Sequence, residues 1–258
     1  MAVIKKFRIK SFKEKETLLQ LEKVSMFYNK RQILNNLNLV INKQEVLGML
    51  GPNGVGKSTI FNIIIGLKDP SYGKVIINGV DCTNIPIYER VKRFKLGYVP
   101  QHGGFIQDLT LIENLDMVAE IHIKEKELRQ LKIEKVISQF EFEPLLKIKG
   151  KHLSGGQKKK LVIAMALINE PSILLLDEPF AALDILTIKM LQEIIVNLQA
   201  LEKITVIVCD HQARDLLSCV DRAIVLSNGK IIASGSPNEI IKDASAKSAY
   251  FGDEFKIN

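Results

Sequence analysis

The chain has 258 residues, 47% of them hydrophobic, and 36 Lys and Arg against 29 Asp and Glu, for a net charge of +7. A chain of this size buries about 70 to 75% of its unfolded surface and needs no disulfides, so Cys82, Cys209 and Cys219, widely spaced and without a C-x-x-C pair, read as reduced structural thiols and not as a metal site. No apolar run approaches the roughly 20 residues that span a bilayer, and no apolar stretch follows the basic N-terminus, which excludes a membrane span and a secretory signal and places the chain in the cytosol.

The positive charge suits nucleic acid, an anionic membrane surface or nucleotide, without choosing among them. Residues 1–18 hold Lys5, Lys6, Arg8, Lys10, Lys13 and Lys15 against Glu14 and Glu16. They read as a solvated arm, or as one that lies against anionic headgroups. Strands are predicted over 19–24, 38–41 and 45–50. Between the first two, Phe27, Tyr28 and Asn29 fall on a turn, where Tyr28 is a candidate to stack on a purine ring.

The apolar run Val46, Leu47, Gly48, Met49, Leu50 feeds Gly51, Pro52, Asn53, Gly54, Val55, Gly56, Lys57, Ser58 and Thr59, which fits the spacing G-x-x-x-x-G-K-[ST]. A strand before it and a helix over 58–66 after it are the context this motif needs. Glycines let successive N–H groups turn inward onto phosphate oxygens, and the helix aims the positive end of its dipole at the same point. Lys57 then reaches the β and γ phosphates, and Ser58 offers its hydroxyl to Mg²⁺.

Past Gly66 and a turn over 70–73, strands follow at 74–77 and 96–99, with Asn78-Gly79 as a hairpin signal. The second strand ends at Pro100 and Gln101, whose side chain is placed to touch Mg²⁺ or hold a water. From Thr110 to about Lys149, Leu111, Leu115, Val118, Leu128, Leu131, Val136 and Ile137 recur at helical spacing among charges, which predicts an inserted helical subdomain. Leu153, Ser154, Gly155, Gly156 and Gln157 then open a helix over 161–168, a second anion-binding helix N-terminus. Lys158, Lys159 and Lys160 oppose that helix's dipole and read as a solvated or partner-facing run.

Ile173, Leu174, Leu175 and Leu176 run into Asp177 and Glu178, the pattern of a buried parallel strand that delivers a carboxylate to Mg²⁺ through Asp177 and a base to water through Glu178. Asp184 precedes a helix over 185–201. The strand 205–208 ends at Cys209, Asp210 and His211, and His211 is placed to reach a γ phosphate. Residues 222–226 and 230–233 form a hairpin across Asn228-Gly229, and the tail begins at Pro237.

In identity, order and spacing, residues 51–58, Gln101, 153–157, 175–178, Asp184 and His211 resemble the ABC ATPase family over about residues 19–240. The resemblance implies an α/β fold: a P-loop NTPase core with a parallel sheet, an N-terminal antiparallel β part, and an inserted helical signature subdomain at about 104–168, with the basic arm before residue 19 and a tail over 241–258. It makes 51–59 the Walker A loop, Gln101 the Q-loop, Leu153 to Gln157 the signature, Asp177 and Glu178 the Walker B pair, Asp184 the D-loop and His211 the switch histidine. Tyr28 matches the adenine-stacking aromatic. ATP is then the substrate, Mg²⁺ the cofactor, held by Ser58, Gln101 and Asp177, and Glu178, His211 and Gln101 are the catalytic set. The partners implied are a second copy, whose signature covers this chain's nucleotide, and separate transmembrane permease subunits that dock at a groove around Phe105; nucleic acid is not among them.

Within the family, Leu96 to Gln101, Pro179-Phe180-Ala181 and the tail Tyr250-Phe251-Gly252-Asp253-Glu254-Phe255 look most like the ATPase of lipopolysaccharide export, peripheral on the cytoplasmic face of the inner membrane. Ile185, Gln157 and the longer basic N-terminus depart from that branch. The ATPase of branched-chain amino acid import and a soluble ATPase of the iron–sulfur assembly kind stay open beside it.

Overall fold

The structure is a computed structural model, and it describes residues 16–252. The chain opens with two long antiparallel strands, β1 (Thr17–Tyr28) and β2 (Arg31–Asn42). It then runs through β3 (Val46–Leu50), α1 (Lys57–Ile65), β4 (Tyr72–Ile77), β5 (Val80–Asp81), α2 (Ile87–Phe94) and β6 (Leu96–Val99). Helices α3 (Leu111–His122), α4 (Lys126–Phe140) and α5 (Gly155–Leu167) follow, then β7 (Ile173–Asp177), α6 (Ile185–Ala200), β8 (Thr205–Cys209), α7 (Ala213–Cys219), β9 (Arg222–Ser227), β10 (Lys230–Gly235) and α8 (Pro237–Lys242). The tail continues as short turns at Ala244–Ala246 and Lys247–Phe251.

Two sheets divide the strands. One is antiparallel, in the order β2-β1-β4-β5; the other has the order β10-β9-β3-β8-β7-β6 and is parallel except for the β9–β10 hairpin. Every residue of β3, β7 and β8 is buried, as strands covered on both faces must be. Side-chain alternation then sends each strand into two cores. Leu47 and Met49, Ile173 and Leu175, and Ile207 and Cys209 face α1 and the antiparallel sheet. Val46 and Leu50, Leu174 and Leu176, and Val206 and Val208 face α5, α6 and the helical stretch. That stretch, α3 to α5, enters between β6 and β7, adjacent parallel strands of one sheet. Among the described residues no helix is long and apolar enough to cross a membrane.

Two local features differ from the sequence reading. The first strand begins at Thr17, inside the span read as the basic arm, and runs past residue 24 to Tyr28. Its alternation breaks at Lys23, whose φ is +49° and where the register with β2 shifts, so the pattern hides the continuation. The basic cluster from Lys5 to Lys15 and the tail from Asp253 lie outside the described residues.

The second feature is α2, a short amphipathic helix that the sequence reading leaves unassigned, with Ile87, Val91 and Phe94 along the face that also carries Arg90. Its purpose in the packing is Arg90, fully buried. The Arg90 guanidinium donates to the carbonyls of Ile63 (2.6 Å) and Ile64 (3.1 Å) at the C-terminal end of α1, and to those of Ile85 (2.7 Å) and Thr83 (2.7 Å). A cation on the last carbonyls of α1 favours the helix dipole and fixes the end of α1 remote from Gly56. Burial depresses the Arg90 pKa from its usual value. Arg90→Met leaves four carbonyls without that donor, a cost of about 3 kcal/mol. The unfolding midpoint of that variant should therefore fall by about 6 to 12 °C in a thermal melt.

Candidate functional site

Strand β3 delivers the chain to a loop that closes on Lys57. Gly56 caps α1 with φ +115°, a conformation that strains any other residue, and a Cβ there would press to 2.7 Å on the Leu34 side chain at Cδ2. Lys57 is 5% exposed, and its ammonium donates to the carbonyls of Gly51 (2.7 Å) and Pro52 (3.2 Å). The positive charge thus sits inside the curl of the loop, at the N-terminal end of α1, where backbone N–H groups have no intrahelical acceptor. Ile33 and Leu34 pack against Gly56. Tyr28 pairs with Arg31 just before them, at the end of β1, and is 41% exposed.

The C-terminal ends of β6, β7 and β8 meet the loop. Asp177, 4% exposed, accepts three hydrogen bonds: Ser58 Oγ at 3.3 Å and Cys209 Sγ at 2.8 Å on Oδ1, and Tyr98 Oη at 3.3 Å on Oδ2. Burial and the Asp177 charge push the Cys209 thiol and the Tyr98 phenol well above their ordinary ranges, so both stay protonated and both remain donors.

Glu178 leaves the strand with φ +47°, a left-handed turn that costs a non-glycine residue about 1 to 2 kcal/mol. Its N–H donates to Cys209 O at 2.8 Å, and its Oε2 accepts from Gln101 Nε2 at 2.7 Å. His211 Nδ1 lies 3.4 Å from the same oxygen and 3.7 Å from Asp210 Oδ1. Asp210 is fully buried; burial raises its pKa, and its oxygens accept the N–H groups of Phe180 and Gln212, both at 2.9 Å. His211 is further fixed by Tyr250, whose hydroxyl donates to the His211 carbonyl at 2.8 Å.

A second helix N-terminus is built at Ser154. The Ser154 Oγ accepts from Gln157 N (3.3 Å) and the Gln157 side chain accepts from Ser154 N (2.8 Å), a reciprocal box that satisfies two donors. Leu153 is buried beneath it. Gly155 and Gly156 pack on the start of α6, where a Cβ on Gly156 would come within 2.5 Å of Thr187 Cγ2. Asp184 caps α6 by accepting from Leu186 N and Thr187 N, both at 3.0 Å.

The structure corrects one expectation. Lys159 and Lys160 are half-buried and held to carbonyls instead of standing free in solvent: Lys159 Nζ donates to Gln101 O at 2.8 Å and Lys160 Nζ to Phe140 O at 3.2 Å. Their long stems reach carbonyls that a helical wheel does not reveal. Phe105 is half-buried against Gly150, packed on the helical core, and the exposed apolar residue of its loop is Ile106, at 46%. Sequence reasoning gave Tyr98, Asp210 and Tyr250 no role in the site and read Cys209 only as a structural thiol. The only signal for Tyr98, Cys209 and Asp210 was their position at the ends of core strands.

The ABC transporter family profile matches residues 34–181. The chain is 35% identical over 245 residues to the lipopolysaccharide export system ATP-binding protein LptB of Haemophilus influenzae, covering 93% of this chain and 100% of that one. It is 34% identical to LptB of Escherichia coli, covering 89% and 95%. Among solved structures, it is similar to an ATP-binding cassette of an ABC transporter in its ADP conformation, with TM-score 0.81 and 27% identity over 92% of this chain and 99% of that one. A bacterial ABC transporter cassette described as dimeric matches with TM-score 0.77 and 30% identity over 85% and 99%.

Burial beside Asp210 pushes the Tyr250 phenol from 10.0 up to about 12. A raised folded pKa means that the stability tied to the protonated phenol is complete below pH 10 and is lost as pH rises toward 12. Denaturation midpoints of Tyr250→Phe should therefore fall less between pH 10 and 12 than those of the unmodified chain.

Proposed function

We propose, from the premise that the chain belongs to the ABC transporter family of ATP-binding proteins, that it is the ATPase subunit of a lipopolysaccharide exporter whose membrane-spanning part is a separate chain. One observation carries the ATPase reading: the buried ammonium of Lys57, the Ser58 hydroxyl and the Asp177–Glu178 pair converge where β3 and β7 end. The export reading is supported by the similarity to lipopolysaccharide export proteins over nearly the whole of both chains.

In this reading the loop's N–H groups and Lys57 hold the nucleotide's phosphates, and Tyr28 stacks on the adenine. Ser58 and Asp177, an adjacent hydroxyl and carboxylate, with the Gln101 amide oxygen, form the hard oxygen set that suits Mg²⁺. That ion, when bound, neutralises charge on the phosphates. Glu178 is the general base. Its Oε2 is occupied by Gln101 and faced by His211, while Oε1 accepts no hydrogen bond from the described residues, leaving it for the attacking water's proton. His211, held by Tyr250, faces the γ phosphate.

The chain has a second anion-binding helix end at Ser154, Gly155, Gly156 and Gln157. A homodimer uses it: the start of α5 in one copy covers the nucleotide of the other, with Asp184 alongside, and stabilises transition-state charge as an arginine finger does. The helical stretch over 104–168 is the subdomain that meets the permease, and Ile106 is the apolar contact that loop offers. The enzyme then sits on the cytoplasmic face of the inner membrane.

Glu178→Gln should bind ATP and hydrolyse it about 10² to 10⁴ times more slowly in a steady-state phosphate-release assay; normal turnover would remove Glu178 from the role. The same variant, ATP-trapped in solubilised membranes, should retain membrane-spanning proteins together with lipopolysaccharide. Recovery of a permease with a solute-binding protein instead would overturn the export reading.

A further inference from the structure

Lys159 is the fifth residue of α5, a helix whose N-terminus carries Ser154, Gly155 and Gly156. A lysine so early in a helix opposes the dipole, and this one also loses hydration. Burial lowers its pKa, with Asp210, Asp177 and Glu178 acting in the opposite direction. None of these carboxylates is at ion-pair distance, so among the described residues no salt bridge offsets that cost. What Lys159 does hold is the backbone of Gln101, through Nζ to O at 2.8 Å. From the same residue the Gln101 side chain donates to Glu178 Oε2 at 2.7 Å. Among the described residues Lys158 and Lys160, one residue to either side, make no hydrogen bond to Gln101 or Glu178; Lys160 turns to Phe140 instead.

We propose that Lys159 is a positioning residue that ties α5 to the general base: it fixes the Gln101 backbone, and Gln101 in turn orients the Glu178 carboxylate. The inference rests on the reading of Glu178 as that base. Its consequence is a coupling between the two sites of a dimer. The end of α5 engages the nucleotide on the second copy, while Lys159, one turn further along, sets the base of its own copy. Docking of α5 thereby adjusts Glu178 by way of a single hydrogen-bonded link, and no large rearrangement is required.

The test is steady-state kinetics on Lys159→Met, Lys159→Gln and Lys159→Arg. Loss of the link should lower kcat by about 10- to 100-fold in the Met and Gln variants, the scale of a misplaced catalytic group, with KM for ATP unchanged. Lys159→Arg keeps the charge and the donors and should recover most of kcat. Gln101→Ala combined with Lys159→Met should be no slower than the slower single variant, because both cut one link. A raised KM at normal kcat, multiplicative losses in the double variant, or no rescue by Arg would each overturn the proposal. If Lys159→Met melts early, Lys159→Gln decides. Should Glu178→Gln itself hydrolyse ATP normally, the base assignment fails; should it be slow while Lys159→Met is not, only the present inference fails.

Discussion

The structure depends on one buried carboxylate. Asp177 sits at 4% exposure at the end of β7, where an ion without partners would cost several kcal/mol. Three neutral donors meet it, one each from the ends of β6 and β8 and from the start of α1: Tyr98, Cys209 and Ser58. Burial and, after it, the neighbouring Asp177 charge keep Tyr98 and Cys209 protonated, and as donors they offset the burial of Asp177. Each of these elements must therefore end at the right height for the carboxylate to be solvated by protein. The strand order achieves this, since β6, β7 and β8 are parallel neighbours whose C-terminal ends share one edge.

That edge is also where the sheet meets two helices, α1 and α5. On one side α1 is clamped at both ends, by the glycine loop around Lys57 and by Arg90 on its last carbonyls. Its position relative to Asp177 is thus set by buried hydrogen bonds. On the other side α5 packs in the core against the sheet, and among the described residues its side-chain hydrogen bond to the site runs from Lys159 to Gln101, with its N-terminus resting on Thr187 and Leu183. A phosphate-binding helix held at both ends by hydrogen bonds faces a helix whose polar tie to the site is one side chain. Such an asymmetry suits a site in which the substrate end is preformed and the far helix responds to a partner.

How much of this was legible in the sequence follows from the range of each interaction. The uninterrupted apolar strands at 46–50, 173–176 and 205–208 and the phosphate-loop spacing are local, and the structure builds strands and a loop there. The capping box at Ser154 and Gln157 is equally local. Less legible were contacts that join residues far apart in sequence: Lys159 to Gln101, Tyr250 to His211, Arg90 to Ile63. A lysine run looks solvated on a helical wheel, and only the neighbouring loop reveals the carbonyl that receives it. Phe105 and Ile106 show the same limit at short range, because two adjacent apolar residues give no hint of which one Gly150 admits. The β1 strand was truncated in the reading since a left-handed Lys23 reverses the alternation on which strand detection relies.

The central claim is that the site is completed by the helix end of a second copy. Site-specific disulfide trapping tests it directly, with Asn53→Cys on one copy and Ser154→Cys on another, both in the Glu178→Gln background. The native cysteines are all buried and leave the reaction to the introduced pair. ATP should produce a cross-link between the two copies that is absent without nucleotide. No cross-link with ATP bound, or one formed equally without it, would contradict the account.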